Sequence, residues 1–130
     1  TPTELVYVGN AVSVILPAED GYMEFRSLHA TLITSLGHGI LTLKTTGGTG
    51  KWIYINGGYA EIHENRLIIL ADIAEKGEDI DPERAQRAYD RAQKRILDHE
   101  GGKWDIEKAR ASLQRAEFRL NASRNTKEGL

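Results

Sequence analysis

Four histidines, a glycine-rich run that ends in a lysine, five serines and nineteen carboxylates are the residues of this chain with chemistry to offer. His29, His38, His63 and His99 show no metal-ligand spacing of the H-E-x-x-H kind, and there is no cysteine to join them. Each reads as a lone surface or strand histidine, and no metal site is expected. Gly47-Gly48-Thr49-Gly50-Lys51 invites a phosphate-loop reading. That reading fails, because Trp52 stands where the motif needs Ser or Thr and Thr45 where it needs its first glycine, and a hairpin turn accounts for the run. Ser13, Ser27, Ser35, Ser112 and Ser123 lack the strand-to-helix setting that exposes a nucleophile. The helical carboxylates lie among lysines and arginines, in the manner of a solvated face. No catalytic residue is expected.

Whatever these residues do, two different kinds of structure must position them. Residues 1–74 carry 4 Lys/Arg and 7 Asp/Glu, whereas the shorter stretch 75–130 carries 13 and 12. Sparse charge with frequent glycine suits strands and tight turns, and dense charge of both signs suits solvated helices. Two units are therefore expected, 1–78 and 79–130, meeting near Glu75–Ile80.

In the first unit the apolar pattern has the period of two that marks half-buried strands. Val12, Val14 and Leu16 alternate with Ala11, Ser13 and Ile15, and Pro17 is expected to close the run. Ile40-Leu41-Thr42-Leu43, Trp52-Ile53-Tyr54-Ile55, Tyr59 to Ile62 and Leu67 to Leu70 follow, with Gly47–Gly50, Asn56-Gly57-Gly58 and Glu64-Asn65 read as turns between them. Short strands with no room for crossover helices imply an antiparallel sandwich or flattened barrel.

In the second unit the period becomes 3.6. Asp81 can cap a helix and Pro82 fits its first position. Ala85, Ala88, Tyr89, Ala92 and Ile96 form one stripe, Gly101-Gly102 ends it, and Ile106, Ala109, Leu113, Ala116 and Leu120 form a second. A short loop between such helices gives an antiparallel two-helix hairpin. The predicted class is thus α+β, an N-terminal antiparallel β-sandwich followed by a C-terminal helical hairpin. Alanine seams bury little area at ~25 cal/mol per Å², so the hairpin is expected to be weakly anchored.

Composition also excludes function classes. The formal net charge is -2, without the basic excess that nucleic-acid binding draws on. No apolar run approaches the roughly 20 residues of a spanning helix and no signal-peptide pattern opens the chain. Membrane contact is expected only through a partner. Without cysteine, packing and hydrogen bonds must hold the fold.

Residues Ile55-Asn56-Gly57-Gly58-Tyr59-Ala60-Glu61-Ile62, then Asn65 to Asp72, then the acidic junction Ala74 to Asp81, together with Leu16-Pro17-Ala18-Glu19-Asp20-Gly21, resemble the epsilon subunit of the F-type ATP synthase. The resemblance spans nearly the whole chain and implies the same sandwich-plus-hairpin fold. It departs from the family at Ser27-Leu28-His29-Ala30-Thr31, where the family has Pro-Gly-His-Ala-Pro. Family chains also begin with a strand ahead of the Thr1-Pro2-Thr3-Glu4 equivalent, so the start is expected to be shortened and the first strand's pairing stays open.

The resemblance implies a non-catalytic rotor subunit on the cytoplasmic face of the inner membrane, peripheral to it. Its β-unit would attach to the gamma subunit and the c-ring, with Glu24, Arg26 and His29 as ring-facing candidates. Its hairpin would lie folded, or extend to the catalytic alpha/beta head and suppress ATP hydrolysis. No cofactor is required, but some bacterial members bind ATP as a regulatory ligand through Ile/Leu-Asp-x-x-Arg-Ala. Here Ile80-Asp81-Pro82-Glu83-Arg84-Ala85 matches, and Arg91, Arg115, Arg119 and Glu75 match the rest of that set. Arginines on facing helices suit a phosphate chain, and Ala85 would leave space beside a base. A purely structural account of the same residues also stands, with Asp81 a cap and the arginines i, i+4 partners of carboxylates. The rival reading from another class is a free-standing adaptor whose hairpin docks a partner helix.

Overall fold

The computed structural model describes residues 3–26, 31–45, 47–48, 50–98 and 103–127. Its strands are β1 (Glu4–Asn10), β2 (Ser13–Ala18), β3 (Gly21–Arg26), β4 (Leu32–Lys44), β5 (Gly50–His63) and β6 (Arg66–Lys76). A single 3-10 turn over Gly77–Asp79 leads to helices α1 (Pro82–Leu97) and α2 (Lys103–Lys127). The six strands form one antiparallel sheet in the order β1-β6-β5-β4-β2-β3. β1, whose pairing the sequence leaves open, runs against β6 with a bulge between Leu5 and Tyr7.

One sheet becomes two layers because its three long strands exchange faces along a common line. In β5, Ile53 and Ile55 point into the core before Gly57-Gly58, and Ala60 and Ile62 after it. β4 turns over between Leu36 and Leu41, and β6 between Ala71 and Ala74. Both ladders skip Gly57, leaving Gly37 and Asp72 opposite it unpaired in register. At φ +81° and +128°, Gly57 and Gly58 occupy backbone that side chains rarely adopt. A Cβ on Gly58 would strike the Leu70 carbonyl oxygen and approach Ala71 Cα to 2.6 Å. Asn56-Gly57-Gly58, expected as a turn, is therefore a crease inside one continuous strand. The Glu64-Asn65 pair does form a hairpin turn, with both residues at positive φ.

Two further expectations need correction. Pro17 does not end β2 but lies within it, where the β2/β4 register shifts between Ile15 and Ala18 and a missing N–H costs no ladder bond. Val12 is not a strand residue and is exposed, while Ala11 is buried in its place. Both sit in a connector whose backbone N–H groups reach Asn65 O and Lys44 O.

The inner faces enclose Val14, Leu16, Leu41, Leu43, Ile53, Ile55, Leu67 and Ile69. On the outer face of the second layer, Ile40 and Tyr54 are buried under the hairpin, with Trp52 beside them. Asp81 caps α1 by accepting from the N–H groups of Glu83 (3.0 Å) and Arg84 (3.3 Å), and Pro82 takes the first turn. Ala85 and Ala92 of α1, and Ala109, Ala116 and Leu120 of α2, are buried as expected, while Ala88, Tyr89, Ile96, Ile106 and Leu113 are half-buried. α2 has a second apolar side that the single stripe did not show: Phe118 and Ala122 join Ile40 and Tyr54. α2 thus lies between α1 and the sheet, and its buried Ser123 hydroxyl donates to Ile80 O at 3.4 Å.

If the crease requires glycine, Gly58→Ala will lower the urea midpoint by at least about 2 kcal/mol of stability, since positive-φ strain and backbone collision add. An unchanged midpoint would mean that β5 turns over by some other means.

Candidate functional site

The residues singled out from the sequence divide into two groups around the junction of sandwich and hairpin. Glu75, at the end of β6, and Arg119, on α2, form an ion pair at 2.9 Å, with each side chain about one-third exposed. The strand-to-helix connection is short enough that α2 folds back over the strand end that supplies its carboxylate. Arg119 Nε is buried and makes no hydrogen bond. Arg115, one turn earlier on α2, is exposed and donates from Nη2 to Ser112 Oγ at 3.1 Å.

The second group is on α1. Asp81 is committed to its cap, and Ala85 is buried in the cluster that contains Tyr54 and Leu120. Arg84 and Arg91 are exposed, two turns apart on one side of the helix. Among the described residues no hydrogen bond or ion pair links either of them to Glu75, Arg115 or Arg119. The fold therefore brings Glu75 and Arg119 together and leaves Arg84 and Arg91 in solvent. Glu24 and Arg26 on β3 pair with each other at 2.9 Å on an exposed surface, and His29 lies outside the described residues.

Between these groups lies a cluster the sequence did not single out. His38 Nε2 is 2.8 Å from Tyr54 Oη. The imidazole meets the Tyr54 ring edge-on at 5.4 Å and the Phe118 ring at 4.9 Å, so residues of β4, β5 and α2 share one contact. Burial, and then the Arg115 guanidinium, hold the His38 imidazole below its usual value, against a side-chain hydrogen bond with Gln114 that favours the charged ring. Burial pushes the Tyr54 phenol up, with Glu75 acting in the same sense and Arg115 and Arg119 opposing. A single histidine in a strand carries no spacing signal, and its partners are 16 and 80 residues away in sequence. Among the described residues no group of three or more potential metal ligands is assembled.

The model of the ATP synthase delta/epsilon chain beta-sandwich domain matches residues 1–77, and that of the long alpha-helix domain of the same chain matches residues 78–124. The chain belongs to the epsilon-chain family of the ATP synthase. The ATP synthase epsilon chain of Moorella thermoacetica is 38% identical over 123 residues, 95% of this chain and 91% of that relative. The chloroplastic epsilon chain of Coffea arabica is 35% identical over 124 residues, 94% of this chain and 91% of that relative. A chain in the cryo-EM structure of the Euglena gracilis mitochondrial ATP synthase shares the fold, with TM-score 0.56 and 21% identity over 91% of this chain and 68% of that one. An epsilon chain is a non-catalytic subunit. No helix among the described residues is long and apolar enough to cross a membrane.

The Glu75–Arg119 pair, at this exposure, contributes up to about 1 kcal/mol. Removing only its carboxylate strands a partly buried guanidinium, whereas an apolar replacement of the arginine removes that burden as well. Glu75→Gln is therefore expected to weaken hairpin docking by about 1 kcal/mol, read from α2 amide exchange, and Arg119→Met by less. A larger loss for Arg119→Met would show that the pair outweighs its desolvation.

Proposed function

We propose that this epsilon chain is a central-stalk rotor subunit, held by its sandwich to the gamma subunit and the c-ring, with a hairpin that leaves the sandwich to act on the alpha/beta head. The observation that carries the reading is the division of the two outer faces. The hairpin occupies one. The other presents Leu5 opposite Leu70, Leu70 opposite Tyr59, and Ile33 opposite Glu61, with Ile33 68% and Tyr59 46% exposed and no element among the described residues over them. A contiguous apolar sheet face of this kind is what a permanent partner covers, and the gamma subunit is the partner we assign to it. Glu24 and Arg26 lie on β3, at the opposite edge of the sheet order, and we assign them, with His29, to the c-ring.

ATP is the regulatory ligand of this reading. Glu75 and Arg119 sit where strand, α1 and α2 converge, Arg115 is one turn away, and Arg84 and Arg91 are exposed cations on the neighbouring helix. A triphosphate drawing Arg84, Arg91, Arg115 and Arg119 together would neutralise their repulsion and hold the hairpin folded, while Asp81 keeps α1 capped and Ala85, buried against Tyr54 and Leu120, keeps that helix seated. Ligand at 100 times its dissociation constant adds about 2.7 kcal/mol to the state that binds it. Extension of the hairpin toward the head would then suppress ATP hydrolysis when nucleotide is scarce.

Two measurements check the two halves. Tyr59→Asp and Ile33→Asp, both at exposed positions, are expected to fold normally yet lose at least tenfold in affinity for the gamma subunit in a pull-down or calorimetric titration. Undiminished binding would move the interface elsewhere. Calorimetric titration of the full chain with millimolar ATP is expected to show binding that Arg91→Ala weakens. No heat with the parent, or equal binding by the variant, would leave the structural role without the nucleotide sensor.

A further inference from the structure

We propose that His38 is a proton-sensitive clasp, tying α2 to the outer face of the sheet while it is neutral and loosening it when charged. The geometry is that of a fastening between three elements. His38 stands on β4 between Gly37 and Gly39, at the crease, half-buried, with Tyr54 of β5 at hydrogen-bond distance and Phe118 of α2 against its ring. Tyr54 and Phe118 also stack on each other at 6.3 Å, so the imidazole closes a three-ring cluster that spans the docking interface.

Burial and Arg115 oppose charge on this imidazole, and the side-chain hydrogen bond with Gln114 of α2 offsets them only in part. On α2 the cation facing it is Arg115, with Arg119 behind it acting on Tyr54. The carboxylate of Glu75 on β6 reaches Tyr54 but is already paired with Arg119. On β5 the titratable neighbour is the Tyr54 phenol. The Tyr22 hydroxyl of β3 lies along the same strand, where it accepts from the Ile40 N–H at 3.0 Å, and Tyr89 of α1 packs against the cluster. A second positive charge beside Arg115 therefore gains no free anion. Protonation also constrains the hydrogen bond: an imidazolium can only donate, so the buried Tyr54 hydroxyl can no longer donate to His38 Nε2, a role open to it while the ring is neutral.

The sign follows from linkage. The docked state holds His38 below its ordinary value through burial and Arg115, while an undocked hairpin would return it near 6.5. Above about pH 6.5 neither state binds the proton and docking is at full strength. As the pH falls through that value the undocked state takes the proton first, and docking weakens until the depressed docked value is reached. Each unit of separation makes undocking up to about tenfold easier.

The inference rests on the proposed mobility of the hairpin, but not on ATP binding or on inhibition of hydrolysis, so it is tested without nucleotide or partner subunits. NMR titration of the His38 ring in the full chain reads its pKa, and the ratio of α2 to inner-strand amide exchange, at Ala116 and Leu120 against Ile55 and Ile69, reads docking from pH 7.5 to 5.5. The expected result is a depressed His38 pKa with an exchange ratio that rises severalfold on acidification. In His38→Gln, which can still bond Tyr54 but not titrate, the ratio is expected to stay flat. The other histidines are common to both proteins and cancel. An ordinary or raised His38 pKa would mean that attraction of the imidazolium to the Tyr54 and Phe118 rings wins, and would overturn the proposal. So would an equal rise in His38→Gln. Should the substitution impair folding, the ring titration of the parent still decides. A hairpin that opens at the same rate at every pH refutes the clasp alone, whereas one that never opens short of global unfolding refutes the mobile hairpin as well.

Discussion

Two adjacent glycines in the middle of β5 set which side of each central strand faces inward. The strand turns over at Gly57-Gly58, and its neighbours turn over at Gly37–Gly39 and at Asp72–Ile73, so one antiparallel sheet folds across itself and encloses its own core. Each half of the sheet also acquires an outer face. A side chain at either glycine would meet atoms of β6, so nothing larger can stand there while β6 remains paired. The crease thereby fixes the inner packing and, with it, two outer surfaces of different fate.

On one of those surfaces the apolar residues are shared with the hairpin. Ile40, Tyr54 and Trp52 meet Phe118, Leu120 and Ala122, while α1 reaches the same cluster through Ala85 and Tyr89 and the connector before it through Ile80. α2 is the helix that docks, and α1 is held mostly by α2 through alanines. Among the described residues the polar ties across the junction include the Glu75–Arg119 pair, the Ser123 bond to Ile80 O and the side-chain hydrogen bond between His38 and Gln114. The proposed hairpin movement requires that this interface of a handful of rings and small side chains lie within a few kcal/mol of an open alternative, the range in which a ligand or a proton changes its occupancy. Among the described residues the inner core cluster is apolar and offers no comparable handle.

The sequence shows some of this and hides the rest for identifiable reasons. Period-two runs located the strand centres, and the Asp81-Pro82 pair located the start of α1, because those signals are local. Asn56-Gly57-Gly58 looked like a turn because glycine with positive φ serves a turn and a crease equally; only the partner strands tell them apart. The alanine stripe of α2 was legible, but its second face was not, since Phe118 and Ala122 become inward only once a sheet lies beneath them. Glu75 and Arg119 were singled out by family pattern, and their pairing depends on a return of the chain over 44 residues. His38 gave no sign at all, as its role depends on two rings brought from different elements.

The account stands on the hairpin leaving its face of the sandwich as a unit while the creased sheet remains folded. Native-state amide exchange of the full chain under increasing urea tests this most directly, because it resolves openings smaller than global unfolding. Amides of α1 and α2 should exchange through a common opening of lower free energy and weaker urea dependence than those of Ile53, Ile55 and Ile69. A single free energy and a single urea slope shared by hairpin and sheet would show that the two unfold together, and would contradict it.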